Sequence, residues 1–309
     1  MSRIKWLPLV VAVILFPFFF ISGPDYYSSR SLKVLWNFGH IVFFAAAGFL
    51  MITRVSSFSV KPFFAQLFWT GFFAFVVGVI IELVQHGIQR EPDIGDVGRN
   101  LLGGLVAVVF FSPRRKELGR GTLLSARSSI LLLVALPVYS LLMTLSDEQH
   151  SRSNFPMLAS FESRGELGRW SGGASFFRSD QRAAHGNYSL RVDLGTGQYS
   201  GVSLGYLEGD WSGFHILSVD LFNAEPSMLS LTLRVHDKQH SRSKQLFQDR
   251  FNRSFLLKPG WNHLDIPLQD IAVAPQSRAM DLSAIENLAF FVIAEKVETT
   301  IYIDQLILK

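Results

Sequence analysis

The sequence contains no cysteine. That excludes a disulfide framework, a thiolate zinc site and a cysteine nucleophile. It leaves the compartment open, because an extracytoplasmic chain can simply lack the residue. Charge is scarce as well: 17% of the 309 residues are charged, against a hydrophobic share of 49%, an imbalance unusual for a soluble protein. The charges are also unevenly placed. Pro113 to Arg127 holds Arg114, Arg115, Lys116, Arg120 and Arg127 against the single Glu117. Flanked by apolar runs, this segment reads as a cytoplasmic loop under the positive-inside rule, and no nucleic-acid partner is expected. The zinc motif His-Glu-x-x-His and the Gly-rich phosphate loop are also missing.

What is present falls into two halves. Up to about Leu145 the chain is mostly apolar runs, and from about Ser146 it is mixed, polar and punctuated by glycine. The expected domains are a transmembrane unit at 1–148 and an extracytoplasmic unit at 155–309, joined by a linker at 149–154. The apolar runs predict five spans of an all-α transmembrane bundle, at about 6–21, 34–52, 63–84, 94–111 and 129–145. The first reads as an uncleaved anchor, and Pro137 predicts a kink in the last. With five spans, the bases Arg3, Lys5, Arg54, Lys61 and the 113–127 cluster share one side. That side is the cytoplasm. The expected location is therefore the cytoplasmic membrane, with the N-terminus inside, the second half outside and the lipid bilayer as a partner. If the run at 94–111 were re-entrant, the second half would lie inside instead.

This topology gathers the polar residues of the first half at one depth. His40 enters the second span from outside, Glu82 and Gln85 end the third, Arg90 and Asp93 lie in the outer loop, and Asp96 and Asn100 open the fourth. Glu82 and Gln85 are i,i+3 neighbours and Asp96 and Asn100 are i,i+4, so each pair shares a helix face. Gly103 and Gly104 allow close helix packing one turn on. Ionisable groups at membrane depth are functional candidates, and these seven residues form the expected ligand-binding set, with Glu82, Asp96 and His40 as the catalytic candidates. Plainer roles remain open for each: Asp96 as a helix cap, Arg90 paired with Glu82 or Asp93, His40 as a packing residue. The ordered set His40, Glu82-x-x-Gln85, Arg90 and Asp96-x-x-x-Asn100-x-x-Gly103 resembles the signature of the VanZ-like membrane family over roughly Leu32 to Phe111. That resemblance implies a bacterial envelope protein and specifies no reaction.

From Phe155 the pattern has period two. Leu229, Leu231, Leu233 and Val235 alternate with Ser230, Thr232, Arg234 and His236, the mark of a half-buried strand. Similar runs occur at 188–194, 216–222, 251–257, 263–268, 288–294 and 300–308, separated by turns such as Lys258-Pro259-Gly260. About eight short strands predict an all-β jelly-roll sandwich. Phe161-Glu162, Gly186-Asn187-Tyr188-Ser189-Leu190, Asp210-Trp211-Ser212-Gly213-Phe214, Gly260-Trp261-Asn262 and Ile301-Tyr302-Ile303-Asp304 resemble pieces of carbohydrate-binding modules of the galactose-binding-like jelly-roll type. In such modules an early acid and a late aspartate often hold a structural calcium, and Glu162 and Asp304 occupy those places. Trp170, Trp211 and Trp261 are the candidates for stacking on sugar, although a small sandwich also needs large side chains in its core. The polar stretch Asp237–Arg250 reads as a mobile loop at a binding rim.

Three functions follow. The first is recognition of a glycan or lipid-linked saccharide. The second is a membrane enzyme using Glu82 or Asp96 as base with His40 as partner. The third is a structural or interaction protein of the envelope. The sequence does not decide whether the chain is an enzyme.

Overall fold

The computed structural model describes residues 6–21, 23–24, 28–87 and 94–309, with the side chains of 85–87 and 94 outside the description. The chain divides into two compact units, Met1–Leu142 and Met143–Lys309. The first is helical, and the second is a β-sandwich with the end of a long helix attached.

In the first unit the apolar runs become helices α1 (Leu7–Leu15), α2 (Arg30–Arg54), the short α3 (Ser56–Ser59), α4 (Phe63–Gly87) and α5 (Ile94–Phe111), and α6 (Arg120–Asn154) begins there. A 3-10 turn at Phe16–Phe19 extends α1. Side chains set the ends. The Ser29 hydroxyl accepts from Leu32 N at 3.3 Å, capping α2. The Glu117 carboxylate accepts from Phe63 N at 2.8 Å, so a distant acid meets the free N–H groups that open α4. Gln66 completes that end. Its amide donates to the carbonyls of Phe58, Ser59 and Lys61, and its Oε1 accepts from Ser112 at 2.7 Å.

Small residues decide how α2, α4 and α5 pack. A Cβ on Gly103 would lie 2.5 Å from the Ile41 carbonyl, and one on Gly48 2.8 Å from the Ala107 methyl, so α2 and α5 run parallel in backbone contact. Gly104 meets Thr70 and Ala74, and a Cβ on Gly78 would strike the Asn100 amide, so α4 runs antiparallel to α5. Close approach through small side chains is how helices associate where water does not drive them together.

The second unit holds two antiparallel sheets, with strands β1 (Met157–Ala159), β2 (Trp170–Gly172), β3 (Ser175–Ser179), β4 (Ser189–Leu194), β5 (Tyr199–Leu204), β6 (Ile216–Asn223), β7 (Leu229–Asp237), β8 (Phe251–Leu257), β9 (Gly260–Pro267), β10 (Ile285–Ile293) and β11 (Thr299–Leu308). One sheet runs β3-β4-β11-β6-β9 with β1 on β11, and the other runs β2-β5-β10-β7-β8. The inward residues of the expected alternation, such as Leu231, Leu233, Val219, Leu221, Ile301 and Ile303, fill the space between the sheets. Helices α7 (Lys238–Ser241) and α8 (Leu268–Ala272) are single turns between strands.

The expected runs all appear as strands, while β1, β2, β3 and β5 go beyond them. Those four are short, and Gly201 interrupts the alternation of β5. Residues 149–154, read as a linker, are the last turns of α6. Nothing in Ser146–Asn154 breaks a helix until Phe155-Pro156, where the proline disfavours helix in the residue before it. Met143–Asn154 belongs to the sandwich unit and is fastened there by Arg169. That guanidinium is 4% exposed and meets Asp147 at 3.3 Å, Glu166 at 3.6 Å, the Ser151 hydroxyl at 3.3 Å and the Leu158 carbonyl at 2.8 Å.

Candidate functional site

Two sites stand out, one in each unit. In the helical unit, His40 on α2 and Asp96 and Asn100 on α5 converge and are almost fully buried. His40 Nδ1 lies 2.9 Å from Asn100 Oδ1, and Nε2 lies 3.3 Å from Asp96 Oδ2. Arg99, which the sequence reading passed over, donates to the other Asp96 oxygen from three residues on. Glu82 is buried on α4. Gly78 faces Asn100, and one turn along each antiparallel helix the register brings Glu82 level with Asp96. Arg90 and Asp93 and the Gln85 side chain lie outside the described residues. Phe19 packs edge-on to the His40 ring at 4.8 Å. A cavity of about 320 Å³ lined by Leu15, Phe18, Leu32, Leu35, Trp36 and Gly39 opens beside His40. His40 alone of this cluster lines the apolar slot, with Asp96 and Asn100 packed against its two ring nitrogens.

In the sandwich, a groove of about 580 Å³ lies on the outer face of β2-β5-β10-β7-β8. Its floor follows from register. Phe291 on β10 stands opposite Gly201 on β5 and Thr232 on β7, and Thr232 stands opposite Ser254 on β8. One row on, Ser203, Ala289, Arg234 and Asn252 cross the same strands. A Cβ at Gly201 would collide with the Phe290 carbonyl and with Phe291 Cα and Cβ, so glycine is what lets β10 approach β5 this closely. Tyr199, 64% exposed, packs edge-on to Phe291 at 6.1 Å. Asn287 Oδ1 accepts from Ser203 at 2.8 Å and from Arg234 at 3.3 Å, which aims the guanidinium along the floor.

The rim comes from the stretch Asp237–Arg250, expected to be a mobile loop. It is instead folded into α7 and a 3-10 turn at Phe247–Asp249. Arg278 holds it, gripping Asp237 at 2.5 and 2.8 Å and Asp249 at 2.7 Å, while His240 reaches Asp249 at 3.3 Å. Hydrogen bonds from Arg278 keep the Asp249 carboxyl below the usual carboxylate range. Burial pushes Asp237 upward, but Arg278 and the backbone N–H groups of Asp281 and His240 outweigh it, and this acid too is held low. The clamp sets Phe247 and Arg250 at the groove edge, with the guanidinium over the Phe247 ring at 5.5 Å.

The tryptophans fare differently from the sequence expectation. Trp170 and Trp211 are 5% and 0% exposed, packed in the core between the sheets, and present nothing to a ligand. Trp261 is exposed but lies on the outer face of the opposite sheet. There Phe177, Arg191, Tyr302, Phe222 and Trp261 stand in one cross-strand row, a ladder that stabilises the sheet. The groove aromatics Tyr199, Phe247 and Phe291 lie outside the expected glycan-binding set. The outward position of Phe291 in an alternating run was the available signal.

Glu162 and Asp304 both hold the 184–188 loop. Glu162 accepts from Asn187 N and Tyr188 N at 2.8 and 2.9 Å, and Asp304 accepts from Ala184 N and His185 N at 2.7 and 3.0 Å and from Gln305 N at 2.7 Å. The carbonyls of Phe161 and Glu162 accept from the Arg178 guanidinium. Calcium needs a shell of about six to eight oxygens. Here the acids face N–H donors and the nearby carbonyls face a fixed cation, so the set does not fit that ion. Gly201-Val202-Ser203-Leu204-Gly205 has the Gly-x-Ser-x-Gly spacing of a hydrolase elbow, but Ser203 lies inside β5 rather than at a strand-to-helix turn, and it donates to Asn287.

No protein-family model and no curated sequence matches the chain. Solved structures similar to its second half are carbohydrate-binding modules and agarases. A family 11 carbohydrate-binding module from Clostridium thermocellum, in complex with a β-1,3-1,4-mixed-linked tetrasaccharide, is 20% identical over 49% of this chain and 93% of its own, with a TM-score of 0.39. An exo-β-agarase is 16% identical over 50% of this chain and 25% of its own, also at 0.39. The family 22 module of Clostridium thermocellum Xyn10B is 20% identical over 48% and 89%, at 0.33. These likenesses concern fold alone.

Proposed function

We propose that the protein is held in a bacterial cytoplasmic membrane by its helical half and recognises saccharide through the groove on β2-β5-β10-β7-β8. The observation that carries this reading is the groove's composition. Partly exposed rings of Tyr199, Phe247 and Phe291 stand around a floor of hydroxyl, amide and guanidinium groups. A sugar presents apolar C–H faces and a girdle of hydroxyls, and that pairing of flat apolar platforms with a few fixed polar groups is what binds it. Membrane anchoring is supported by three helices long and apolar enough to cross, Arg30–Arg54, Phe63–Val84 and Arg120–Asn154. The apolar window of the last is only 6% buried, so its surface needs lipid or a partner. The positive-inside pattern supports an extracytoplasmic sandwich.

Glycan-array binding of the full-length protein in detergent tests the groove. Tyr199→Ala and Phe291→Ala are expected to weaken saccharide binding about tenfold or more, a loss of roughly 1.4 kcal/mol. Wild-type affinities in both variants would dismiss the groove.

A second reading is favoured by His40, which lines an apolar slot and is backed by Asp96: this unit takes a lipid-linked headgroup, with the acyl chain along Leu15, Leu35 and Trp36 and the VanZ-like residues at the polar end. Turnover of lipid-linked saccharides by wild type and by His40→Gln decides whether it is catalytic. Equal turnover removes His40 from any proton transfer.

A further inference from the structure

We infer that the groove selects saccharides carrying anionic groups, uronate carboxylate or ester sulfate, over neutral ones. This rests on the saccharide reading of the groove and adds the substrate class to it. The groove is lined by two arginines, Arg234 in the floor and Arg250 at the rim, and, among the described residues, by no aspartate or glutamate. Arg234 is half-buried and is aimed by Asn287, a neutral acceptor, from within the sheet. Arg250 is half-buried, and its Nε is shielded from solvent with no hydrogen bond among the described residues. A guanidinium withdrawn from water in this way is favoured by an anion arriving with paired oxygens.

Three further features agree. His236, the next outward residue of β7 after Arg234, stays uncharged to about pH 3. Burial is the main cause, and the charges of Arg234, His240 and Arg250 add to it, against a smaller opposing pull from Asp237. The arginines thus weigh more on this side chain than the acid Asp237 does. That acid, Asp237, and Asp249 as well, are committed to Arg278. Finally, Ala289 stands between Ser203 and Arg234 and Gly201 lies beside it, so the floor next to the Arg234 guanidinium is open. A ring stacked on Phe291 or Tyr199 would bring an equatorial substituent within reach of that cation, and one on Phe247 would do so for Arg250. Arginine is suited to this, because its planar fork matches both carboxylate and sulfate.

The test is calorimetric titration of the full-length protein in detergent at low and high salt. The probes are a tetragalacturonate, its fully methyl-esterified neutral counterpart, a sulfated galactan tetrasaccharide and a neutral mixed-linked glucan tetrasaccharide. At least one anionic probe is expected to bind ten or more times tighter than both neutral ones. Comparing the uronate with the sulfate says which oxyanion is preferred. The advantage should shrink at high salt. It should vanish in the Arg234→Gln, Arg250→Gln double variant, while Arg250→Gln alone, at the rim, lowers it part-way with the fold intact by near-UV circular dichroism. Neutral probes binding as tightly as anionic ones would overturn the charge selection and leave the groove reading standing. Binding of none of the four would overturn both.

Discussion

Arg169 shows how much one side chain can hold. It is buried with two acids, Asp147 from the end of α6 and Glu166, and the latter also accepts from Ser160 N, Phe161 N and Ser163 N. Removing the cation strands both carboxylates out of water, which costs about 3–5 kcal/mol. Arg169→Ala is therefore expected to lower the sandwich's denaturant midpoint steeply, with Arg169→Lys in between. A shift below about 1 kcal/mol would mean that water replaces the guanidinium. At the same scale, His40 and Asp96 were legible in the sequence because charge in an apolar run is conspicuous. Tyr199 and Phe291 were not, because an outward aromatic on a strand looks the same whether it lines a groove, joins a ladder as Trp261 does, or lies against solvent.

Among the elements, the stretch Asp237–Arg250 matters most. Its polar composition predicts a loop, and composition alone does not reveal that Arg278, far along the chain, ties both ends. Asp237 and Asp249 are held low in the folded protein, so their contribution is complete above about pH 4, the unfolded range, and is lost as pH falls through the folded values. His236 acts over a higher window. Folded it titrates at about 3 and unfolded at 6.5, so each pH unit below 6.5 favours the unfolded chain. On the order of 2 kcal/mol should be lost between pH 6.5 and pH 5. Unfolding free energy against pH is thus expected to be flat above about 7 and to fall below it. His236→Gln should flatten the upper part of that fall. A variant profile that overlays the wild type would contradict the burial of a neutral histidine.

At the scale of the whole molecule, the absence of cysteine makes topology directly measurable. Single cysteines at Lys116 and Ser243, one in the basic loop and one on the sandwich, give an otherwise thiol-free background. In intact cells a membrane-impermeant maleimide is expected to label Ser243→Cys, and Lys116→Cys only after permeabilisation. The reverse pattern would put the sandwich in the cytoplasm and remove the extracellular glycan as its ligand. The helical unit bears on the same question. The hydrogen bond from Arg114 to the Val60 carbonyl and the cap from Glu117 to Phe63 N bring the two basic loops to one end, while His40, Asp96 and Asn100 cluster towards the other.

The sequence by itself determined the long helices and seven of the strands, but not β1, β2, β3 and β5 or the fold of Asp237–Arg250. Hydrophobic runs long enough to bury their own backbone polarity become helices, and period-two alternation becomes strands, because both are local consequences of where a side chain must point. It also determined that Gly103 and Gly104 would permit close packing. Only the tertiary structure decided which residues meet. His40 reaches Asn100 across 60 residues because α2 and α5 run parallel through glycine contacts. The groove exists because β5, β10, β7 and β8, scattered along the chain, are neighbours in one sheet. Alternation says only that Arg234 and Phe291 each point to the outward side of their strands. Strand order, which no local pattern encodes, is what sets them beside one another.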